Sequence, residues 1–227
     1  VLEINPKQTK FRDEFNENDI REIIKYKTDV IIRLGFRIIS GKILDIPKFG
    51  IWSYHHGDNK FNRGGPPGFW EVIKKIPNTG ITLQILNENL DNGLIIHKTY
   101  SKTHEYSVNR NINSFYSKSI SLIPDKLKEL YNYGENKFFK KINKNNDSPY
   151  FYSFPLYKAP NNKKIIIPLI GLFFRFLKLK FYKILKINQW ILMYRINEKN
   201  KFSSSMFSFK KMIPPKDRFW ADPFIYS

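Results

Sequence analysis

Two adjacent histidines, His55 and His56, are the residues of this chain best suited to carry a proton. An unperturbed imidazole titrates near pH 6.5, close to a working pH. A short apolar run, Gly50-Ile-Trp-Ser-Tyr54, leads into them. It reads as a buried strand that delivers the pair to its C-terminal end. Open α/β sheets place their sites at that end. Neighbouring residues of a strand point to opposite faces, so Ser53 shares a face with His55 and not with His56. A metal held by His55, His56 and Asp58 would need the strand to have ended first, and the pair is read here without a metal. Next comes Arg63-Gly-Gly-Pro-Pro-Gly68, too rich in glycine and proline for helix or strand. A lone acid in a turn, Leu90-Asp-Asn-Gly93, lies further on.

Several elements must position these residues. Asp29-Val-Ile-Ile-Arg33 is a β-branched run and reads as a strand before the histidine strand. Gly80–Leu86 and Leu94–Tyr100 read as strands flanking the Asp91 turn. Asn18-Asp19 ahead of Ile20, Ile23 and Ile24 predicts a capped amphipathic helix. Gly68–Lys74 reads as a short helix, and Ser114–Leu130 as a helix packed on the sheet. Lys137–Ser148 is charged and Asn-rich, and reads as a spacer. Ile165–Leu179 is apolar but interrupted by Pro168, Arg175 and Lys178. It is too short and too basic for a membrane span and reads as a linker helix. Its basic flanks leave membrane-surface contact through residues 165–187 open. Gln189–Arg195 reads as a strand.

Residues 28–100 resemble the catalytic domain of the folate-dependent formyltransferases. The family pattern runs Asn-x-His-Pro-Ser-Leu-Leu-Pro, Arg-Gly-x-x-Pro with a Trp, Thr-Gly-Val-Thr, and Leu-Asp-x-Gly. His55, Arg63-Gly64, Pro67, Trp70, Thr79-Gly-Ile-Thr82 and Leu90-Asp-Asn-Gly93 keep that order and spacing. Ser53 stands where the family has an asparagine, and His56-Gly57 replace Pro-Ser. Upstream, Leu34-Gly-Phe-Arg-Ile-Ile-Ser-Gly41 resembles the segment that holds the pterin ring. The resemblance implies an α/β, Rossmann-like core with a mainly parallel sheet and flanking helices. It implies formyl transfer from 10-formyltetrahydrofolate to an amine. His55 would then move a proton and touch the developing oxyanion, Asp91 would orient it, and Ser53 would replace an amide donor. Phe36, Arg37, Ile38, Ile39, Asn89 and Leu90 would bound the folate, and Arg63, Gly64 and Gly65 would form a substrate rim. The final Lys216–Tyr226 segment resembles the opening of a five-bladed propeller like that of family-43 glycoside hydrolases, with Asp222 at the place of a catalytic base.

The expected organisation is a core over 1–135, truncated at its N-terminus, a spacer and linker helix over 136–187, and an incomplete propeller over 188–227. The acceptor would be a small-molecule amine, an amino sugar or nucleotide sugar. A catalytically degenerate module serving a carbohydrate-active propeller is the alternative. The formal net charge is +19, but the basic residues are dispersed and no specific nucleic-acid partner is expected. Cysteine is absent, which excludes disulfide frameworks and thiolate metal sites and fits the cytoplasm.

Overall fold

The computed structural model describes residues 1–147, 151–186, 191–196, 209–218 and 220. Two compact units divide the chain, Val1–Arg175 and Phe176–Ser227.

The first unit opens with a small sheet. β1 (Lys7–Gln8) pairs antiparallel with β2 (Arg12–Glu14). The helix α1 (Glu17–Ile24) follows, capped by Asn16 rather than by the Asn18-Asp19 pair. Asn16 accepts from the Asn18 and Asp19 amides, and Asp19 accepts the Asn16 amide in return. The expected strand at 29–33 is β3 (Ile31–Arg33). β4 (Ile38–Ser40) then lies parallel to β2 and leaves the main sheet.

The main sheet has the order β3, β5 (Ile51–His55), β6 (Asn78–Ile85), β7 (Leu94–Lys102). Only β3 and β5 are parallel, while β5–β6 and β6–β7 are antiparallel. The mainly parallel sheet expected from sequence is therefore corrected to a mixed one. The connection between β5 and β6 carries only the short α2 (Phe69–Ile73) and is tied at the His55 end, where Asn62 meets both the His55 ring and Glu71. The chain stays at the His55 end, and β6 starts there.

The two faces of β5 bury different partners. Trp52 joins Ile81, Leu83, Ile96, Phe115 and Phe138 in one core, beneath α3 (Val108–Ser119) and α4 (Leu122–Asn146). Ile51 joins Ile20, Ile39 and Ile43 on the other face. Ser53 and His55 take the Ile51 face by strand alternation.

The segment Lys137–Ser148, read as a spacer, is helical as far as Asn146. Gly134 breaks α4 with φ 75° and ψ 163°, and the chain then turns back onto the sheet. Phe138 stacks on Trp52 with ring centres 5.8 Å apart. Asn146 closes the free edge of β7, donating to the Ile95 carbonyl at 2.9 Å and accepting its amide at 3.0 Å. Ordinary helix periodicity was hidden there by lysines and asparagines on the outer face.

α5 (Asn162–Leu185) occupies the expected linker-helix region. No helix of the described residues is long and apolar enough to cross a membrane. In the second unit β8 (Leu192–Tyr194) pairs antiparallel with β9 (Lys210–Met212). Most of the propeller-like segment, including Asp222, lies outside the described residues, and no closed ring of strands is seen among those described.

If Lys137–Asn146 completes the core, Phe138→Ala should cost about 3–5 kcal/mol. Tyr131→Ala, on the exposed side of α4, should change stability by less than about 0.5 kcal/mol. Denaturant unfolding measures both. Equal, negligible effects would return the segment to the status of a spacer.

Candidate active site

Sheet register assembles the site. β3, β5 and β6 align Arg33 with Ser53 and Ser53 with Gln84. The next row aligns His55 with Thr82, and Thr82 with Lys98 of β7. Paired residues share a face, so both rows look away from α3 and α4.

His55 is 7% exposed. Its Nδ1 lies 3.1 Å from Asp91 Oδ1, and its Nε2 lies 2.7 Å from the Asn62 carbonyl oxygen. Both ring nitrogens thus face acceptors. Burial opposes a charged imidazole here, but the hydrogen bond and charge of Asp91, with the Asn62 carbonyl and the Glu71 charge, outweigh it and hold the pKa above its ordinary value. Burial likewise opposes ionisation of Asp91, and His55, the Gly64 amide and Arg33 together keep its carboxyl below the usual range.

Asp91 sits in the left-handed region at φ 50°, a conformation asparagine and aspartate tolerate better than most residues. That backbone turns the carboxylate inward, where Oδ2 accepts the Gly64 amide at 3.0 Å. Arg63 ties down the same turn through Asn92 Oδ1 at 2.9 Å and reaches the Asn59 carbonyl at 2.9 Å.

The Arg63-Gly64-Gly65 loop was expected as a substrate rim. The backbone that approaches it is the chain's own. The Tyr157 amide donates to the Arg63 carbonyl, and the Gly65 amide donates to the Tyr157 carbonyl. A Cβ on Gly64 would meet the Tyr157 oxygen at 2.2 Å, and its φ is +93°. Tyr152 lies against the Arg63 guanidinium. The loop clamps Asp91 through the Gly64 amide and is covered by residues 152–158.

His56 points to the opposite side. It stacks on Tyr54 and Phe115 and meets Tyr116 edge-on at 4.6 Å. Burial, and then the charge of His55, push its pKa down to about 4. Within the described residues no group of His, Cys, Asp and Glu could hold a metal.

Ser53 is fully buried and its hydroxyl is engaged. It accepts from Arg33 Nη1 at 2.9 Å and donates to the Tyr54 carbonyl at 3.3 Å. Arg33 also donates to the carbonyls of Arg37 and Phe36, which staples the turn between β3 and β4. Sequence reading passed over Arg33 because a cation closing an apolar strand usually faces solvent. It also passed over Gln84, Asn62 and Glu71. Asn62 Nδ2 donates to Glu71 Oε1 at 2.7 Å, and burial raises the Glu71 carboxyl pKa against that hydrogen bond. Asp58 joins Lys98 at 2.5 Å and the Tyr100 hydroxyl at 2.8 Å. Gly80 is needed beneath it, since a Cβ there would fall 2.5 Å from the Asp58 amide nitrogen.

The six residues expected to bound a folate are divided. Ile39 is walled into the Ile20–Ile43–Ile51 core. Arg37 is spent on Asp13, at 2.9 Å. Phe36 and Leu90 are each 36% exposed and Ile38 is partly so. The Gly41 amide donates to Glu88 at 2.7 Å, which draws the 36–41 and 88–91 segments together. Phe36, Ile38, Asn89 and Leu90 are left at least partly accessible.

No protein-family model matches the chain. Over 85 residues it is 36% identical to methionyl-tRNA formyltransferase of Prochlorococcus marinus (strain MIT 9312), covering 37% of this chain and 25% of the relative. Over 98 residues it is 31% identical to the methionyl-tRNA formyltransferase of Clostridium botulinum (strain Alaska E43 / Type E3), covering 43% and 31%. The chain is homologous to formyltransferases over this stretch, and spans about a quarter to a third of the length of these two relatives. Among solved structures it is similar to phosphoribosylglycinamide formyltransferase from Bacillus halodurans, with TM-score 0.47 and 18% identity over 54% of this chain and 64% of that one. A sugar N-formyltransferase from Shewanella sp FDAARGOS_354 gives TM-score 0.40 and 21% identity over 64% and 52%.

The depressed pKa of His56 makes a pH prediction. Unfolded His56 binds a proton near pH 6.5, while folded His56 does so only near pH 4. Its contribution to stability is therefore complete above pH 6.5 and is lost as pH falls through about 4. His56→Phe keeps an aromatic ring and removes the titration. The variant should gain on the parent between pH 6.5 and 4, by up to roughly 3 kcal/mol. Unfolding at several pH values reads this directly, and parallel curves would refute the buried, neutral assignment.

Proposed function

We propose that this chain carries a formyltransferase site, which moves a formyl group from 10-formyltetrahydrofolate to the amine of a small molecule, an amino sugar or nucleotide-linked amino sugar. The observation that carries the reading is the His55–Asp91 pair, 3.1 Å apart, with Asp91 clamped by the Gly64 amide. The donor supplies the formyl group, whose bond to one nitrogen is exchanged for a bond to another while a proton passes from the incoming amine to the carrier nitrogen. Phe36, Ile38, Asn89 and Leu90 would hold it. His55, buried and paired with Asp91, holds the proton whose movement the exchange requires. Asp91 fixes the ring orientation and favours its charged form.

A cavity of about 340 Å³ opens next to Asn62, whose carbonyl meets His55, and is lined by Phe61, Ile76, Pro77 and Tyr100 among others. Its lining is mainly apolar, and the carboxylates at its edge are engaged by Lys98, Tyr100 and Asn62, so the amino-sugar acceptor rests on the sequence resemblance. The terminal segment resembles the opening of a carbohydrate-active propeller, which points to a sugar acceptor.

One observation favours the second reading, a degenerate module. The Ser53 hydroxyl, at the place of the family asparagine, is spent on Arg33 and the Tyr54 carbonyl. The experiment that decides is formyl transfer from 10-formyltetrahydrofolate to a panel of amino sugars and nucleotide-linked amino sugars. His55→Ala and Asp91→Ala should each reduce turnover by a factor of about 100 or more without unfolding the protein. Ser53→Asn should preserve or raise it. No transfer by the parent chain to any acceptor would favour the degenerate reading, as would unchanged turnover in His55→Ala.

A further inference from the structure

Asn62 and Glu71 form a buried pair that the formyl-transfer reading does not use. Asn62 is 4% exposed and Glu71 2%. Asn62 Nδ2 donates to Glu71 Oε1 at 2.7 Å. The other halves of the two groups are Asn62 Oδ1 and Glu71 Oε2. Both are buried, and neither has a hydrogen-bond partner among the described residues. In an amide and an ionised carboxylate both atoms can only accept. Two unmet acceptors in one buried pair are costly.

A single proton removes both deficits. A protonated carboxyl carries one O–H donor beside its carbonyl oxygen, and a primary amide likewise offers a donor and an acceptor side by side. Such groups close on each other through two parallel hydrogen bonds, and the bond from Asn62 Nδ2 to Glu71 Oε1 is one of them.

The pair reaches the site through the backbone of Asn62. The Asn62 carbonyl oxygen lies 2.7 Å from His55 Nε2. The Asn62 amide donates to the Asp58 carbonyl at 2.7 Å. Two residues on, the Gly64 amide holds Asp91 on the other side of the imidazole. Whatever fixes Asn62 therefore fixes the frame around His55.

We propose that Glu71 serves the site as a neutral acid, whose Oε2–H donates to Asn62 Oδ1, and that the closed pair holds the Asn62 carbonyl against the His55 ring. Glu71 is then a positioning residue, acting through Asn62. Burial lifts its carboxyl above the ordinary range, against the Asn62 hydrogen bond and the His55 charge, and a shared proton requires that direction. His55 faces Glu71 from β5. Asp58 and Tyr100 line the same cavity, and Lys98 matches the Asp58 charge. Arg175 donates to the carbonyl of Val72, next to Glu71 on α2. None of these groups bonds Glu71 Oε2. The role in turnover rests on the formyl-transfer reading, while the shared proton does not.

Carbon-detected NMR of the full chain follows the Glu71 carboxyl, identified by its loss in Glu71→Gln. Its midpoint should lie above the ordinary 4.5. A midpoint at or below that value, as for an ionised carboxylate bridged by water, would overturn the proposal. Stability gives a second reading. The bond from Oε2–H is complete below the unfolded pKa and is lost as pH rises through the folded one. Glu71→Gln keeps an N–H donor on that side at every pH, so it should gain on the parent across that window. Parallel curves, or a parent that gains on the variant, would overturn the proposal.

Glu71→Met removes the charge and the pair together, whereas Glu71→Gln removes the charge alone. The His55 ring pKa should therefore fall further in Glu71→Met than in Glu71→Gln. In the transfer assay Glu71→Met should lower kcat by about tenfold with little change in KM, and Glu71→Gln should restore most of the loss. Equal effects of the two variants on His55 and on kcat would show that Glu71 acts by charge alone, and would overturn the positioning role. If Glu71→Met does not fold, the carboxyl titration and Glu71→Gln keep the proposal falsifiable. A raised Glu71 midpoint in a chain that transfers no formyl group would uphold the pair and remove the formyl-transfer reading instead.

Discussion

The two hydrogen bonds of the Asp91 carboxylate hold the candidate site together. One oxygen meets His55 Nδ1 and the other meets the Gly64 amide. Three segments are joined by that one group: the end of β5, the glycine-rich loop and the turn between β6 and β7. Each pays into the geometry. The turn holds Asp91 at a positive φ, the loop needs glycine at Gly64, and the strand ends where the imidazole must stand. Such convergence of unusual backbone on one carboxylate is typical of a working site. Removing the acid would leave a buried histidine without its counter-charge and a loop amide without its acceptor.

Sheet register is the second constraint. Strands pair side chains that sequence separates, so the neighbours of Ser53 are Arg33 and Gln84 rather than Trp52 and Tyr54. Alternation then sends His55 to the site and His56 into the aromatic cluster of Tyr54, Phe115 and Tyr116. The same step of one residue separates a histidine whose charge is favoured from one whose charge is suppressed. Desolvation acts on both, and only His55 has a carboxylate to oppose it.

Much of this was legible in the chain itself. The apolar run before His55, the acid in a turn and the strands flanking it are local patterns, and local patterns survive without knowledge of the fold. Strand direction is not local. Gly80–Leu86 reads as a buried strand whichever way it runs, and the hydrogen bonds of Asn62 to His55 and Glu71, which hold the connection at one end of the sheet, are not local in sequence. Lys137–Asn146 read as a spacer because its outer face is lysine and asparagine, while Phe138 and Ile142 reach the core. The Arg63–Gly65 loop read as a surface for substrate because glycine permits close approach. Nothing in its own sequence says that Tyr157 would be the one to approach. Gln84 was hidden by its neighbours, since one amide among Ile81, Leu83 and Ile85 passes for an interruption in a core strand.

The central claim is that Asp91 sets the charge of His55, and the imidazole itself reports it. Nitrogen-detected NMR titration of the His55 ring should give a pKa above 6.5 in the parent chain and a lower one in Asp91→Asn, where the opposing charge is gone and burial remains. A parent His55 that titrates at or below its ordinary value, or one that Asp91→Asn leaves unmoved, would contradict the account.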